Sequence, residues 1–277
     1  MMATERKKRE IKDLINHLKK HKDAVLIIGE KIAPELNIKN IGDIEGQNVF
    51  NRKSWTKSPK DFWNYYLNNI YFNLNEAANI PLPSIYKKID ELLSLKIIKK
   101  VYSVNTHGLC KKAINIKGTG EGFKCSRCGE LHTKEELEEY RSNSLEKSID
   151  FTLEKILHII PCKNCSSRKI RPTCLMYGEN YMYEEMKDLL SEVFLDKEDK
   201  TTLPNTHTII YLGVDMEEDF IGELYDNYVL IREKEEEECF NVMITDSGNT
   251  VALFEPEFAT SQDIEDSLDR LITLLNN

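Results

Sequence analysis

Two Cys-x-x-Cys pairs are the strongest chemical signal in this chain. Cys125 and Cys128 form the first pair, and Cys162 and Cys165 form the second. Each pair can form a tight knuckle whose two sulfurs point at one ion, so that together they supply a closed tetrahedral set of thiolates. The intervening residues 129–161 are more than most zinc ribbons have, but the free-energy cost of loop closure grows only slowly with length. The pattern therefore predicts a structural zinc ion, since four thiolates leave no open position for catalysis.

Two alternatives remain open for these cysteines. One or both pairs could be free thiols, although residues 125–129 and 161–165 include the small or polar types that suit exposed knuckles better than core strands. His132 follows the first pair closely and could replace one cysteine as a ligand. The spatial arrangement of these side chains distinguishes the three possibilities.

The composition is that of an ordinary globular protein. The chain has 277 residues, 40% of them hydrophobic and 31% charged, and this length can bury a large core. The formal net charge of -9 disfavours nucleic acid as a partner unless a local basic patch overrides it. No stretch approaches the roughly 20 apolar residues of a membrane helix, and the N-terminal residues do not resemble a signal peptide. We therefore expect no membrane partner, and the seven cysteines with their metal-type pairs indicate a reducing, cytoplasmic compartment.

The hydrophobic pattern predicts helices that alternate with strands. Helical periodicity predicts helices over residues 5–20, 59–71, 84–95, 134–157, 183–194 and 261–275. Short apolar runs predict strands over residues 24–28, 97–105, 174–177, 208–212, 228–232, 240–245 and 251–254. This alternation favours an α/β fold with a mostly parallel sheet that is covered on both faces.

Several fragments together resemble the sirtuins, zinc-containing proteins that use NAD to remove acyl groups from lysine. Residues 103–109 (SVNTHGL) resemble the Thr-Gln-Asn-Ile-Asp-Gly-Leu loop of that family, and residues 114–119 (INIKGT) resemble its Glu-Leu-His-Gly stretch. Residues 171–179 (RPTCLMYGE) are similar to its Arg-Pro-x-Val-Val-x-Phe-Gly-Glu segment, and residues 62–66 (FWNYY) to a helix of its small domain. These pieces occur in the family order, from about Val25 to Thr245.

The resemblance implies a Rossmann-like, mostly parallel sheet with a smaller zinc-ribbon and helical domain, and an active site in the cleft between the two domains. On this basis the large domain would comprise residues 1–50, 95–122 and 169–277. Residues 51–94 would form the helical part of the small domain, and residues 123–168 its zinc-binding module.

The loop that would contact the NAD phosphates differs from the family pattern. Where sirtuins have Gly-Ala-Gly-Ile-Ser, this chain has Gly29, Glu30, Lys31, Ile32 and Ala33, so that only the first and fourth residues match. A carboxylate about 5 Å from a pyrophosphate would be repelled by on the order of 3 kcal/mol per unit charge at an effective dielectric constant near 20. Lys31 would offset part of this repulsion.

The segment on the adenosine side differs as well. Gly213 matches the glycine of the family's Gly-Thr-Ser, but Val214 and Asp215 replace the two hydroxyl residues. A carboxylate interacts with phosphate or ribose very differently from a hydroxyl. The resemblance thus leaves Gly29, Asn105 and Gly213 as the residues that would bind the cofactor, NAD or ADP-ribose.

Lys117 stands where the family has its catalytic histidine, the base that acts on the ribose hydroxyls. A lysine with an ordinary pKa near 10.4 is protonated at neutral pH and cannot accept a proton. Loss of a general base costs roughly two to four orders of magnitude in rate. Burial could lower this pKa towards 7 and make Lys117 a catalytic or covalent group; otherwise Lys117 is a salt-bridged lysine of the cleft.

The loop that would hold nicotinamide keeps Asn105, whereas His107 replaces the nicotinamide-binding aspartate and Val104 replaces the glutamine. His107 could be a replacement base because imidazole titrates near pH 6.5, or it could be a polar loop residue without a catalytic role. Asn105 could bind a ligand or stabilise a turn. Cys110 could be a reactive thiol or a small packing residue.

Two functions are consistent with these differences. The first is a sirtuin-like zinc protein without lysine deacylase activity, a pseudoenzyme that binds a nucleotide or a protein partner in the cleft. The second is an NAD-consuming enzyme that uses Asn105 with His107 or Lys117: a protein ADP-ribosyltransferase, an NAD hydrolase or a residual NAD-dependent deacylase. The negative charge opposes a third, in which the zinc module recognises nucleic acid.

Overall fold

The structure is a computed structural model of this chain. It describes residues 10–36, 44–77, 81–133, 135–136, 139, 160–180, 183–196, 202–214, 219–235, 238–246, 251–252, 254–260 and 263–277. The predicted helix over residues 134–157 falls almost entirely outside this part of the chain, as do the first residues of the helix predicted over 5–20. No helix in the described ranges is both long enough and apolar enough to cross a lipid bilayer.

The regular elements are numbered along the chain. The α-helices are α1 (Ile11–His21), α2 (Ile44–Val49), α3 (Arg52–Lys57), α4 (Pro59–Tyr66), α5 (Phe72–Ala77), α6 (Ser84–Ser94), α7 (Tyr183–Val193), α8 (Asp219–Glu235) and α9 (Ile264–Asn276). The strands are β1 (Ala24–Ile28), β2 (Ile98–Ser103), β3 (Ile114–Asn115), β4 (Phe123–Cys125), β5 (Leu131–His132), β6 (Ile170–Pro172), β7 (Phe194–Asp196), β8 (Thr202–Pro204), β9 (Thr208–Leu212), β10 (Phe240–Ile244) and β11 (Phe258–Thr260). Short 3-10 helices at Glu30–Ile32 and Pro34–Leu36 follow β1, and a π-helical turn at Leu67–Tyr71 joins α4 to α5.

A six-stranded parallel sheet organises the larger part of the fold. Its strand order is β11-β10-β9-β1-β2-β3, and every pair runs parallel. β1, β9 and β10 are buried at every residue, as expected for central strands of a parallel sheet with both faces covered. The predicted α/β fold with a mostly parallel sheet is therefore confirmed.

The two faces of this sheet carry separate hydrophobic clusters. Leu26 and Ile28 of β1 belong to one cluster, with residues of α1, α6 and α9, whereas Val25 and Ile27 belong to the other, with residues of α7 and α8. Successive side chains of a strand point to opposite faces, which explains the division. Each fully buried side chain of this size contributes about 1.5–3 kcal/mol, so the sheet and its helices form the main core.

A second core joins the aromatic helix α4 to a small antiparallel sheet of order β5-β4-β6. Phe62, Trp63 and Tyr66 of α4 pack with Phe123 and Cys125 of β4 in one buried cluster. The Tyr66 hydroxyl donates a hydrogen bond to the Gly120 carbonyl at 2.8 Å, so its polar atom is satisfied despite full burial. These aromatic side chains fix the small sheet, and with it the first cysteine pair, against the helical segment.

Three strand predictions are wrong. Residues 228–232 lie within α8: Tyr228 and Arg232 are buried while Leu230 is 63% exposed, which is a helical spacing that a short apolar run cannot distinguish from a strand. Residues 251, 252 and 254 are helical, and the edge strand is β11 instead.

The third wrong prediction is the strand over residues 174–177. This segment forms no ladder of hydrogen bonds with a neighbouring strand. The backbone N–H of Leu175 donates to Lys117 O and that of Tyr177 donates to Phe50 O, in two separate segments. This segment therefore makes a single β-bridge at Tyr177. The strand in this part of the chain is β6, which ends two residues before Cys174.

His17 of α1 makes folding stability depend on pH. Its ring is 5% exposed, lies 4.3 Å from the Phe240 ring, and places Nε2 3.2 Å from the His207 carbonyl oxygen. Burial lowers the pKa of His17 to about 4. Since the unfolded chain titrates near pH 6.5, it binds the proton first as the pH falls, and stability is lost between about pH 6.5 and pH 4.

We expect this single group to lower the free energy of unfolding by about 2 kcal/mol between pH 7.5 and pH 5.0. Urea unfolding at the two pH values measures the effect. His17→Gln keeps a donor for the His207 carbonyl and removes the titration, so the pH dependence should shrink by about this amount. An unchanged pH dependence in His17→Gln would contradict the assignment.

Candidate metal centre and cleft

The four paired cysteines converge on one point. Their Sγ atoms all lie within 4.8 Å of one another, with Cys125 3.7 Å from Cys165 and Cys128 3.6 Å from Cys162. Zinc–sulfur bonds of about 2.3 Å in a tetrahedron give sulfur–sulfur distances of about 3.8 Å, whereas a disulfide needs about 2.05 Å. The geometry therefore fits a tetrahedral metal and not a pair of disulfides.

The two knuckles are built in the same way. Gly129 N donates to Cys125 O at 2.9 Å, and Ser166 N donates to Cys162 O at 2.8 Å. The residue that closes each turn has a positive φ, +77° at Gly129 and +57° at Ser166. This repetition shows that each Cys-x-x-Cys pair adopts one local conformation that directs both of its sulfurs to the same side.

Hydrogen bonds favour the thiolate form of Cys125. Burial raises the pKa of Cys125, but hydrogen bonds from the backbone of Cys128 and Arg127 and from the Cys165 and Cys128 thiols outweigh burial and bring this pKa to about 7. The amide of Arg127 lies 3.4 Å from Cys125 Sγ. The pKa of Cys128 moves the other way: the Glu130 backbone lowers it, but burial and the other three thiols raise it further. A thiolate is the form that binds a metal, so Cys125 is the thiol of this knuckle that the protein itself prepares as a ligand.

His132 does not join this group. It lies on β5, its ring is 4% exposed, and Nδ1 is 3.6 Å from a Glu136 carboxylate oxygen. Within the described ranges, the ligand atoms that come together are those of the four cysteines. The arrangement therefore favours the four-thiolate set over the set in which His132 replaces a cysteine.

The carboxyl ends of β1 and β9 bring Gly29 and Gly213 into contact. Gly29 N donates to Leu212 O at 2.9 Å, and a Cβ atom on Gly29 would lie 2.2 Å from Gly213 O. Gly213 has φ +59°, and its own Cβ would lie 2.7 Å from a methyl group of Ile32. Both glycines are thus required by backbone packing, whatever the cleft binds.

Glu30 and Lys117 face each other in the same region. Lys117 Nζ lies 3.6 Å from Glu30 Oε1, and the two side chains are 14% and 13% exposed. Glu30 follows β1 in the first 3-10 helix, and Lys117 follows β3. Two departures from the sirtuin pattern, one after β1 and one after β3, therefore form one ion pair.

Asn105 and His107 lie on the loop after β2 and are almost fully buried, at 1% and 4% exposure. Asn105 Nδ2 donates to the Gly29 carbonyl at 3.4 Å, and His107 Nδ1 lies 3.3 Å from the Tyr86 hydroxyl. Among the described residues, Asn105 Oδ1 and His107 Nε2 have no hydrogen-bond partner. Burial lowers the pKa of His107 to about 4, so this imidazole is neutral at pH 7.

Tyr86 of α6 was not among the residues suggested by sequence. Its contact with His107 joins positions that are far apart in the chain, and no motif contains both. Cys110, by contrast, is 6% exposed and belongs to the core cluster of α1 and α6. Burial raises the pKa of its thiol, which favours the packing role over a reactive one. Asp215 lies outside the described residues.

We expect Gly29→Ala to destabilise the fold, because its methyl group meets backbone atoms that cannot rotate away. Overpacking of this kind costs about 1–3 kcal/mol. Gly122→Ala is the matched control, since its Cβ would lie 3.3 Å from the Thr173 hydroxyl oxygen and would meet no backbone atom within 4 Å outside its chain neighbours. Urea unfolding of both variants tests the difference, and equal stability of the two would contradict the backbone-contact argument.

No family profile matches this chain, and no curated protein matches it by sequence. Solved structures match it in fold. One described as a Sir2–p53 peptide–NAD+ complex has a TM-score of 0.70 at 18% identity, covering 96% of this chain and 98% of that chain. One described as a Sir2 homolog–NAD complex has a TM-score of 0.73 at 15% identity, covering 99% of this chain and 96% of that chain.

A third, described as the structural basis of sirtuin substrate affinity, has a TM-score of 0.70 at 18% identity and covers 96% of this chain and 99% of that chain. The likeness extends over the parallel sheet and the small domain, not over one motif. At these identities it is evidence for the architecture alone. This chain has the fold of the sirtuins, with a Rossmann-like sheet and a four-cysteine cluster that could hold zinc.

Proposed function

We propose that this protein is a zinc-stabilised, sirtuin-like protein that binds a nucleotide in its cleft and does not deacylate lysine. The observation that carries the proposal is the ion pair between Glu30 and Lys117. It occupies the two positions at which the sirtuin pattern has a phosphate-binding loop and a general base. A partner protein that enters the same cleft is compatible with this function.

The zinc would have a structural role. Four thiolates fill the tetrahedral shell and leave no position for water or substrate. Cys125 also belongs to the aromatic core with Trp63 and Phe123. Binding of the metal would therefore tie the two knuckles to the helical segment, and its binding free energy would contribute to folding.

We expect the purified protein to contain about one zinc ion per chain. Cys162→Ser should lose the metal and lower the free energy of unfolding by several kcal/mol, because one ligand and the closed shell are lost. Cys110→Ala removes a buried cysteine outside the cluster and should keep the metal. Elemental analysis and urea unfolding measure both effects; full zinc retention in Cys162→Ser would refute the ligand set.

Lysine deacylation by the sirtuin route requires a general base, and neither Lys117 nor His107 is well suited to that role. Lys117 Nζ lies 3.6 Å from Glu30 Oε1, and a neighbouring carboxylate favours the charged form of a lysine over the neutral form that a base requires. The pKa of His107, about 4, is far below the pH at which a general base is most effective. These two residues therefore support binding better than proton transfer.

Ligand binding is supported by the unsatisfied atoms beside the ion pair. Asn105 Oδ1 and His107 Nε2 are buried without a described partner, and leaving such atoms unpaired costs about 1–3 kcal/mol each. A polar ligand that supplies hydrogen bonds to both would recover that free energy. Structures of similar fold hold NAD or peptides, and we assign a nucleotide of this kind, NAD or ADP-ribose, to this cleft.

Calorimetric titration with NAD and with ADP-ribose, beside an acetyl-lysine peptide turnover assay, tests the proposal. We expect binding without turnover. Glu30→Ala removes a carboxylate near the phosphates and should raise the affinity for ADP-ribose on the order of tenfold or more. Glu91→Ala, which removes an exposed carboxylate of α6, is the matched control for net charge. Clear NAD-dependent deacylation by the unmodified protein would end the proposal.

The second candidate function is an NAD-consuming enzyme, and the buried pair of Asn105 and His107 favours it. In such an enzyme these side chains would hold nicotinamide while its bond to ribose breaks, and the ADP-ribosyl group would pass to water or to a protein. Release of nicotinamide from NAD measures this activity. Activity that persists in both His107→Ala and Lys117→Ala would exclude the assigned residues.

The organisation predicted from sequence also stays a proposal. We retain a large domain of residues 1–50, 95–122 and 169–277, a helical part of residues 51–94 and a zinc module of residues 123–168. α6 lies within residues 51–94, the segment assigned to the helical part. It nevertheless packs on α9 and β2 and so belongs to the main core. A reducing, cytoplasmic setting suits the thiolate cluster.

A further inference from the structure

A groove of about 990 Å³ is lined by none of the residues assigned to the nucleotide cleft. Its lining comes from α3 and α4, from β4 and the first knuckle, and from β6 with the residues on either side of it. Three apolar residues of the lining, Trp63, Ile170 and Met176, are at most 2% exposed. The residues that line the groove are therefore held in place by the aromatic core and by the candidate metal centre.

The rim of the groove is cationic. Six of the residues that line it carry positive charge: Arg52, Lys124, Arg127, Arg168, Lys169 and Arg171. Glu179 is the acidic residue among those lining residues, and it is already bound by Arg171 through both carboxylate oxygens at 2.6 and 2.5 Å. This concentration of positive charge stands against a chain whose net charge is -9.

Four of these cations are available to a ligand. Arg52, Arg127, Arg168 and Lys169 are exposed, and no carboxylate in the described part of the chain lies within salt-bridge distance of them. Guanidinium groups bind phosphate in a bidentate manner. The negative charge elsewhere acts weakly at the groove, because salt screens exposed charges beyond about 8 Å at physiological ionic strength.

Trp55 adds an aromatic surface to the same groove. Its Nε1 donates to the Ile170 carbonyl at 3.1 Å, which fixes the ring between α3 and β6, and the side chain is only partly buried. A fixed ring beside a row of cations is the combination by which proteins bind single strands, through stacked bases and paired phosphates. An acidic peptide would form ion pairs with the cations, but it has no bases to stack on the Trp55 ring.

We propose that this groove binds single-stranded nucleic acid, with the phosphates on Arg52, Arg127, Arg168 and Lys169 and a base on Trp55. The site is separate from the nucleotide cleft and does not depend on the function proposed for it. It also supplies the local basic patch that could override the unfavourable net charge.

Fluorescence anisotropy of the zinc-loaded, full chain with labelled 12-nucleotide dT and rU strands tests this inference, and the two strands distinguish DNA from RNA. We expect binding that weakens at least about tenfold between 50 and 200 mM salt, because several phosphate contacts release counterions. Arg127→Glu/Arg168→Glu should weaken binding at least about tenfold. Trp55→Leu should weaken it at least about fivefold, and Trp55→Phe less.

Lys12→Glu/Lys87→Glu is the matched control, since it makes the same change in net charge on exposed residues of α1 and α6. It should leave the affinity within about twofold. Arg52→Gln/Lys169→Gln is a second, milder groove variant, and zinc content with thermal unfolding verifies that each variant is folded.

Three results would overturn the inference. The first is no binding at 50 mM salt, and the second is equal losses in the groove and control variants. The third is a 12-residue polyglutamate peptide that competes as well as the oligonucleotide, which would assign the groove to acidic protein segments. Tighter binding of duplex than of single strands would likewise exclude base stacking on Trp55.

Discussion

The carboxyl edge of the parallel sheet is the constraint on which the candidate cleft depends. β1, β9, β2 and β3 all end at this edge, and Gly29, Gly213, Asn105 and Lys117 follow them directly or within two residues. In parallel sheets this edge is where ligands bind, because the loops after neighbouring strands meet there. Residues that are nearly 200 positions apart in the chain thus become neighbours through strand order alone.

The ion pair of Glu30 and Lys117 shows how two unfavourable residues can be tolerated together. A lone carboxylate or a lone ammonium with so little exposure would lose much of its hydration, whereas the pair compensates each charge with the other. The same pairing places a carboxylate at the loop where the resemblance to sirtuins would put the phosphates of a bound nucleotide. One interaction therefore accounts for both departures from the family pattern.

What could be predicted from sequence was local. The Cys-x-x-Cys spacing predicted a four-cysteine cluster that could hold a metal because each knuckle is a single turn, and the buried runs of β1 and β9 identified central strands because both faces are covered. The strand prediction over residues 228–232 failed because a run of four apolar residues, Tyr228 to Ile231, fits a helix as well as a strand. The contact of Tyr86 with His107 and the cationic groove could not be predicted, since each joins side chains from distant segments that only the folded chain brings together.

The core and the candidate cleft use different residues, so the loop residues can differ from the sirtuin pattern without loss of the fold. The clusters on the two faces of the sheet consist of helix and strand side chains, whereas Asn105, His107 and Lys117 lie on loops. Exchanging a loop residue leaves most of the buried apolar area intact. Asn105 and His107 nevertheless keep buried polar atoms without described partners, a cost that packing alone does not recover. A ligand that forms hydrogen bonds to both atoms would offset that cost.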